Sequence, residues 1–327
     1  GRKDESLEVL SKSIELGYDD YEWMKRDNDL ATLRDDPRFE SLLSWLYGEG
    51  IDIDSSSGVI TFNDILIDTP AAGAFDGINV ADSNGTTTIN SVTINDSGAN
   101  GIVLDNLGDT STDFFTVNGS TTINDSQESG IIVTGSTGNA NFSGPTTISA
   151  TAGDAINITA STGSYTFNDL DITALNGSGL VANAVGLVSG CGTGNSINAT
   201  GGAALDIDTA TIDMTFDSLD STNSTSEGVL LNNVTGAGTS NGLQVTGSTS
   251  VTNSGTTGVS IQGAAADIAL GDLTVATTGA DGLALNFNQA GNFTTGTTTI
   301  SGTTGNGISV TNHQGSANFG DTTVTST

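Results

Sequence analysis

Beyond Arg38 the chain has no lysine and no arginine. All seven of its cations (Arg2, Lys3, Lys12, Lys25, Arg26, Arg34 and Arg38) lie in the first 38 of 327 residues. Of 38 acidic residues, 13 fall within positions 1–50, which leaves 25 for residues 51–327. His313 is the one residue there able to carry a positive charge. A surface of this kind has nothing with which to neutralise phosphates, so nucleic acid and anionic membranes are excluded as partners of that region. Cys191 is the only cysteine, which rules out an intramolecular disulfide framework. No apolar run is long enough for membrane insertion in this sequence. Both tryptophans, Trp23 and Trp45, precede residue 50, and Tyr165 is the one tyrosine after it. Residue 1 is Gly and the chain stops at Thr327 inside a strand-like repeat, which predicts that both ends are cut from a longer sequence.

What the chain has in quantity is one pattern. A small residue is followed by an apolar residue, a free position and a second apolar residue, as in Gly130-Ile131-Ile132-Val133. Eleven anchors carry it: Gly50, Gly77, Gly101, Gly130, Ala155, Gly179, Ala204, Gly228, Gly258, Gly282 and Gly307. Their spacings are 27, 24, 29, 25, 24, 25, 24, 30, 24 and 25 residues, a period that marks a solenoid. Twelve residues after an anchor comes Phe62, Ile89, Phe142, Phe167, Cys191, Phe216, Leu270 or Phe319. Phe115 and Phe293 are displaced from that offset. Five residues later an aliphatic residue recurs, as at Ile67, Ile94 and Ile172. Each coil therefore reads as three short strands with one face inward, the runs being too short and too rich in Thr and Val for helices.

The pattern predicts stacked coils at the strand spacing, and ten intervals make a rod roughly 48 Å long. It also predicts Phe167 inward between Phe142 and Cys191, with Cys191 a buried apolar side chain. The anchor glycines are expected to supply φ > 0 turns. Extra residues in the long intervals should bulge near positions 105–112 and 235–241. Residues 183–204, rich in glycine and without phenylalanine, should be the loosest coil.

The Gly-Ile-x-Val coils with their Phe and Thr-Ile strands resemble right-handed parallel β-helix proteins of the pectate-lyase-like architecture. Among these they look most like the repeat regions of bacterial surface and adhesin-like proteins. The resemblance covers roughly residues 50–327 and implies a mainly β fold of about eleven coils. Its implied role is a non-enzymatic structural or adhesive segment of a secreted or cell-surface protein. The partners implied are surface polysaccharide or another protein, located outside the cell or on its surface.

Residues 1–48 are different. Leu7, Leu10 and Ile14 recur at helical spacing, as do Phe39, Leu42, Leu43 and Leu46. Asp36-Pro37 is a helix start, with an acidic N-cap and proline at the first helical position. Ile14-Glu15-Leu16-Gly17-Tyr18 and Asp36-Pro37-Arg38-Phe39 resemble the end of a tetratricopeptide array. The segment is read as a remnant of such an array or a cap, with Trp23 and Trp45 in its core and the helix from Pro37 to Tyr47 over the first coil.

The family's lyases use Arg or Lys as base, and none follows Arg38. Glycoside hydrolases use paired carboxylates, and two same-face pairs exist: Asp52 with Asp54, and Asp206 with Asp208. Residues two apart on a strand lie about 6.6–7 Å apart, within the inverting range. This keeps a carbohydrate-active reading open beside the structural one. His313 has no second His and no nearby Cys, so zinc and nucleophilic sites lack their parts. Calcium is the one cofactor the composition suits, with Asp206 and Asp208 as ligands and Asp213, Asp217 and Asp220 nearby in sequence. Unpaired strand edges at the last coil predict end-to-end self-association.

Self-repulsion among 25 uncompensated carboxylates should limit stability when salt is low. The melting temperature is expected to rise between low and physiological ionic strength, where screening shortens to about 8 Å. A flat or falling melting temperature would remove repulsion as the limit. A further rise with calcium, beyond that with magnesium at equal ionic strength, is the outcome expected of specific sites.

Overall fold

A computed structural model describes residues 2–15, 21–34, 36, 38–39, 50–68, 75–108, 113–192, 194–238, 241–286 and 290–325. From Ile51 onward it is a parallel β-solenoid of about 10 turns. The strands that follow the anchors form a first stack in unbroken register. Ile51 lies opposite Ile78, Ile78 opposite Ile102, and so on to Leu283 opposite Ile308. At the anchors the register is held by amides that donate forward to the next coil. Gly50 N–H donates to the Asp76 carbonyl and Ile51 N–H to the Gly77 carbonyl, both at 2.9 Å. Nine coils on, Leu283 N–H donates to the Gly307 carbonyl at 2.9 Å.

A third stack carries an isoleucine ladder. Ile67, Ile94, Ile123, Ile148, Ile172 and Ile197 pair in succession, and all are buried. Each fully buried isoleucine contributes about 1.5–3 kcal/mol relative to exposure. The ladder also explains the anchors. A Cβ on Gly101 would lie 2.6 Å from Ile123 Cγ2 and 2.5 Å from the Gly130 carbonyl oxygen. Room for the ladder and for the next backbone is what keeps this position small; Ala155 and Ala204, both fully buried, are its largest occupants.

The φ > 0 expectation placed on the anchors is therefore wrong, since none of them has a positive φ. The left-handed bend comes five residues later, where the first strand ends. It is occupied by Ser55, Asp82, Asn106, Gly135, Ala160, Ala184, Thr209, Asn233, Gly263 and Asn312. Asn and Asp suit this conformation, and Gly suits it best; the β-branched Thr209, at φ 58, is strained there.

The second stack contains the aromatic residues, and here the register departs from the twelve-residue offset. Phe142 and Phe167 stack with centroids 5.0 Å apart and planes 12° from parallel. On its other side Phe167 pairs with Gly190, while Cys191 is opposite Asn168. The expected Phe167–Cys191 neighbourhood is thus off by one residue, and the Cys191 side chain lies outside the described residues. Phe115 faces Ala140, and Val117 takes the place opposite Phe142. Ile268, not Leu270, lies opposite Phe293. One residue gained or lost at a corner shifts the register without breaking it, as the bulge between Ser161 and Ser164 shows. The coil expected to be loosest is continuous strand from Leu180 to Cys191. Gly190 there stands between Phe167 and Met214 in the ladder.

At the long intervals, residues 109–112 and 239–240 lie outside the described residues. The second excursion includes the short strand Thr235–Gly236, which pairs with Thr211 and Ile212.

The N-terminal segment contains α1 (Arg2–Glu15) and α2 (Tyr21–Arg26). Its buried cluster is Leu7, Met24, Leu33 and Phe39, with Leu10 and Leu30 packed against it. Trp23 is half exposed, contrary to the expectation that it is core. The Trp45 side chain and the helix expected from Pro37 to Tyr47 lie outside the described residues, apart from Arg38 and Phe39. Asp36 does accept the Arg38 N–H at 3.0 Å, as an N-cap acid should. The Arg38 guanidinium bonds the same carboxylate and holds its pKa at about 2.

Truncating Phe167 removes a fully enclosed ring from this ladder. Phe167→Ala should destabilise the adjoining coils by about 3–5 kcal/mol, measured by denaturant unfolding. A loss below about 0.5 kcal/mol would show that the ring is not in the core.

Candidate functional site

Asp206 and Asp208 stand on the outer face of the first stack, in the strand Leu205–Thr222. Their surroundings differ. Asp206 lies between Val181 and Leu230 in its column, so aliphatic side chains flank its carboxyl on both sides. That burial pushes its pKa up, and the charges of Glu227, Asp154 and Asp208 push it further. Asp208 lies between Asn183 and Asn232. Its Oδ1 accepts Asn232 Nδ2 at 3.1 Å and Thr209 Oγ1 at 2.9 Å. One carboxyl is thus desolvated and the other is tied by amide and hydroxyl.

The three further acids do not join them. Asp213 pairs with Ser189 in the second stack, close under Gly238 of the long excursion. Asp217 accepts Thr246 Oγ1 at 3.0 Å. Asp220 lies between Asn198 and Ser250 in the third stack, and burial pushes its carboxyl up. Nearness in sequence is lost because the strand turns round the corners of the coil. Among the described residues no three His, Cys, Asp or Glu side chains converge to hold a metal ion. At the other pair, Asp52 accepts Asn79 Nδ2 at 3.1 Å and Asp54 accepts Ser55 Oγ at 2.9 Å, both exposed. Tyr165 is buried, its hydroxyl donating to the Ser136 carbonyl at 3.2 Å, so it offers no outward platform for a sugar.

What sequence reasoning missed is a set of carboxylates and amides at the corner before five of the anchors. Asp76 Oδ1 accepts the Asn100 N–H and Nδ2, each at 2.9 Å. Asn100 Oδ1 in turn accepts the Ser129 N–H at 3.0 Å. Asp154 Oδ1 accepts the Ser178 N–H at 2.9 Å, and Asp281 Oδ1 the Asn306 N–H at 2.6 Å. In each case the side chain receives an amide of the following coil. The signal was present as Asp or Asn immediately before the anchor at positions 76, 100, 154, 281 and 306.

A shallow depression of about 270 Å³ lies beside the long excursion, lined by Gln244, Asp267, Ala269, Asn292 and Thr294. Burial pushes the Asp267 carboxyl up, but the Asn292 N–H and the Asn241 and Asn292 amides outweigh it and leave the pKa lowered. No helix among the described residues is long and apolar enough to cross a membrane. No protein-family model, no curated protein and no solved structure matches the chain.

The raised Asp206 pKa has a thermodynamic consequence. Its folded-state value lies above the ordinary 3.8, so ionisation opposes folding. Stability should fall as pH rises from that ordinary value through the folded one, and return on acidification. Asp206→Asn should raise the melting temperature at neutral pH, the gain shrinking as pH approaches 4, about the unfolded carboxyl's value. A variant no more stable at pH 7 than the parent would refute the burial argument.

Proposed function

We propose that this chain is a structural segment of a secreted or cell-surface repeat protein, a stiff spacer whose polar faces serve for adhesion rather than catalysis. The observation that carries this reading is the use made of its acidic side chains. Asp76, Asp154 and Asp281 accept backbone amides from the next coil, so their carboxylates hold the rod together. Asp267 is likewise held by Asn241 and Asn292. Its partners in this reading are surface polysaccharide or another protein.

A second reading, a carbohydrate-active β-solenoid, draws on Asp206 and Asp208. A desolvated carboxyl beside one tied by hydrogen bonds is an arrangement that a general acid and its partner can use. Only the raised Asp206 bears on it, and the source of that shift includes charge from Glu227 and Asp154.

Incubation with neutral and acidic polysaccharides separates the two. The structural reading expects retention on a surface without release of reducing ends. Sustained release that disappears in both Asp206→Asn and Asp208→Asn would replace it with the second.

A further inference from the structure

Beside the excursion that carries Thr235–Gly236, the outer face of the second stack forms a shallow groove of about 380 Å³. Its course is set by register. Asn139 Oδ1 accepts the Ser164 N–H at 2.9 Å, Ser164 pairs with Leu187, and Leu187 with Thr211. Four successive coils thus contribute one residue each, a run of roughly 14 Å along the axis at the strand spacing. The excursion walls one end: Thr235 pairs with Thr211, and the Ala237 N–H donates to the Ile212 carbonyl at 2.9 Å. The glycines of the floor answer to coil packing, since a Cβ on Gly163 or Gly186 would collide with the Gly138 or Thr162 carbonyl oxygen. What the groove offers a ligand comes from its side chains.

Charge narrows what fits there. Residues 129–153 and 172–205 contain no charged side chain, and no Asp or Glu lines the groove. In a rod with 25 carboxylates this is a neutral surface. A cationic ligand is held more strongly at the carboxylate-bearing corners, and an anionic chain is repelled by the rod as a whole. Polar groups ring an aliphatic patch: Thr162 is exposed, Asn139, Ser164 and Thr211 are part-exposed, and part-exposed Leu187 and Ala237 lie among them. Asn139 uses its Oδ1 on Ser164 and keeps its Nδ2 as a donor. A sugar ring has the complementary make-up, with C–H groups to lie on aliphatic carbon and a rim of hydroxyls that both donate and accept. No aromatic side chain lines the groove, so the affinity for a short oligomer is modest, about millimolar.

We propose that this groove binds an uncharged, extended polysaccharide chain lying along the rod axis. Asn139, Thr162 and Ser164 supply the hydrogen bonds, and Leu187 and Ala237 lie beneath the sugar rings. The inference rests on the adhesive reading and gives it a place and a ligand class. The groove is separate from Asp206 and Asp208, which stand on the first stack.

Titration of the full 327-residue chain with linear hexamers of glucose, mannose and N-acetylglucosamine, followed by NMR, tests it. At least one neutral hexamer should bind, and hexagalacturonate should not. Ser164→Asp and Leu187→Asp place a carboxylate in the groove and should weaken that binding by about tenfold or more while keeping the β circular dichroism. Thr162→Ala removes one exposed hydroxyl with little risk to the fold and should weaken it by about threefold. Thr299→Asp, on the exposed face of the third stack, should leave it unchanged. Failure of every neutral hexamer to bind, binding of hexagalacturonate alone, or neutral binding untouched by the groove variants would overturn the proposal. Retention on polysaccharide-coated and protein-coated surfaces, scored in parallel, separates this site from the adhesive reading. Retention that survives the groove variants leaves that reading standing and removes the site, and retention on protein that the variants abolish replaces the glycan with a protein partner. No retention on any surface removes the adhesive reading itself, and the site with it.

Discussion

Everything in this rod depends on a single distance, the separation of one coil from the next. Backbone amides donate in one direction from each anchor to the coil beyond, from Gly50 to Gly307. That ladder sets neighbouring backbones about 4.8 Å apart and fixes what each position can hold. Where the third stack presents a branched aliphatic residue to the corner, the anchor must be Gly or Ala. Where the first strand ends, the chain must turn left-handed, at a cost of roughly 1–2 kcal/mol for a residue with a Cβ. Ala160, Ala184 and Thr209 adopt that conformation although each carries a Cβ.

The same spacing governs the charges. Stacking brings outward residues of successive coils side by side, so carboxylates in one column would repel each other. The columns mostly alternate instead: Asp52 meets Asn79, Asp208 meets Asn183 and Asn232, and Asp220 meets Asn198 and Ser250. Amides and hydroxyls supply donors that a region without Lys or Arg cannot supply as cations. Asp206 is the exception that reveals the rule. Flanked by Val181 and Leu230, it has lost water and gained no amide, and its carboxyl is pushed up accordingly.

The candidate site shows how far spacing alone can be followed. Asp206 and Asp208 share a face because alternation along a strand is a local property, and that much was legible. The separation of Asp213, Asp217 and Asp220 from them was not, because the strand from Leu205 to Thr222 continues through the corners and visits all three stacks. Nor could residue types reveal that Asp206 is flanked by aliphatic side chains, since Val181 and Leu230 are some two dozen residues away on either side.

By itself the sequence determined the architecture, the coil boundaries and the inward residues of the first and third stacks. Those follow from a period in which Gly, Ile and Val return at nearly fixed intervals, and local alternation does the rest. Only the tertiary structure decided why the anchors are small, where the left-handed turns fall and which residue lies opposite Phe167. Each of those is a relation between coils. A bulge such as that at Ser161–Ser164 changes which residues meet while leaving the count from the anchor unchanged. Counting along the chain therefore found the ladders, and contact across coils set their rungs.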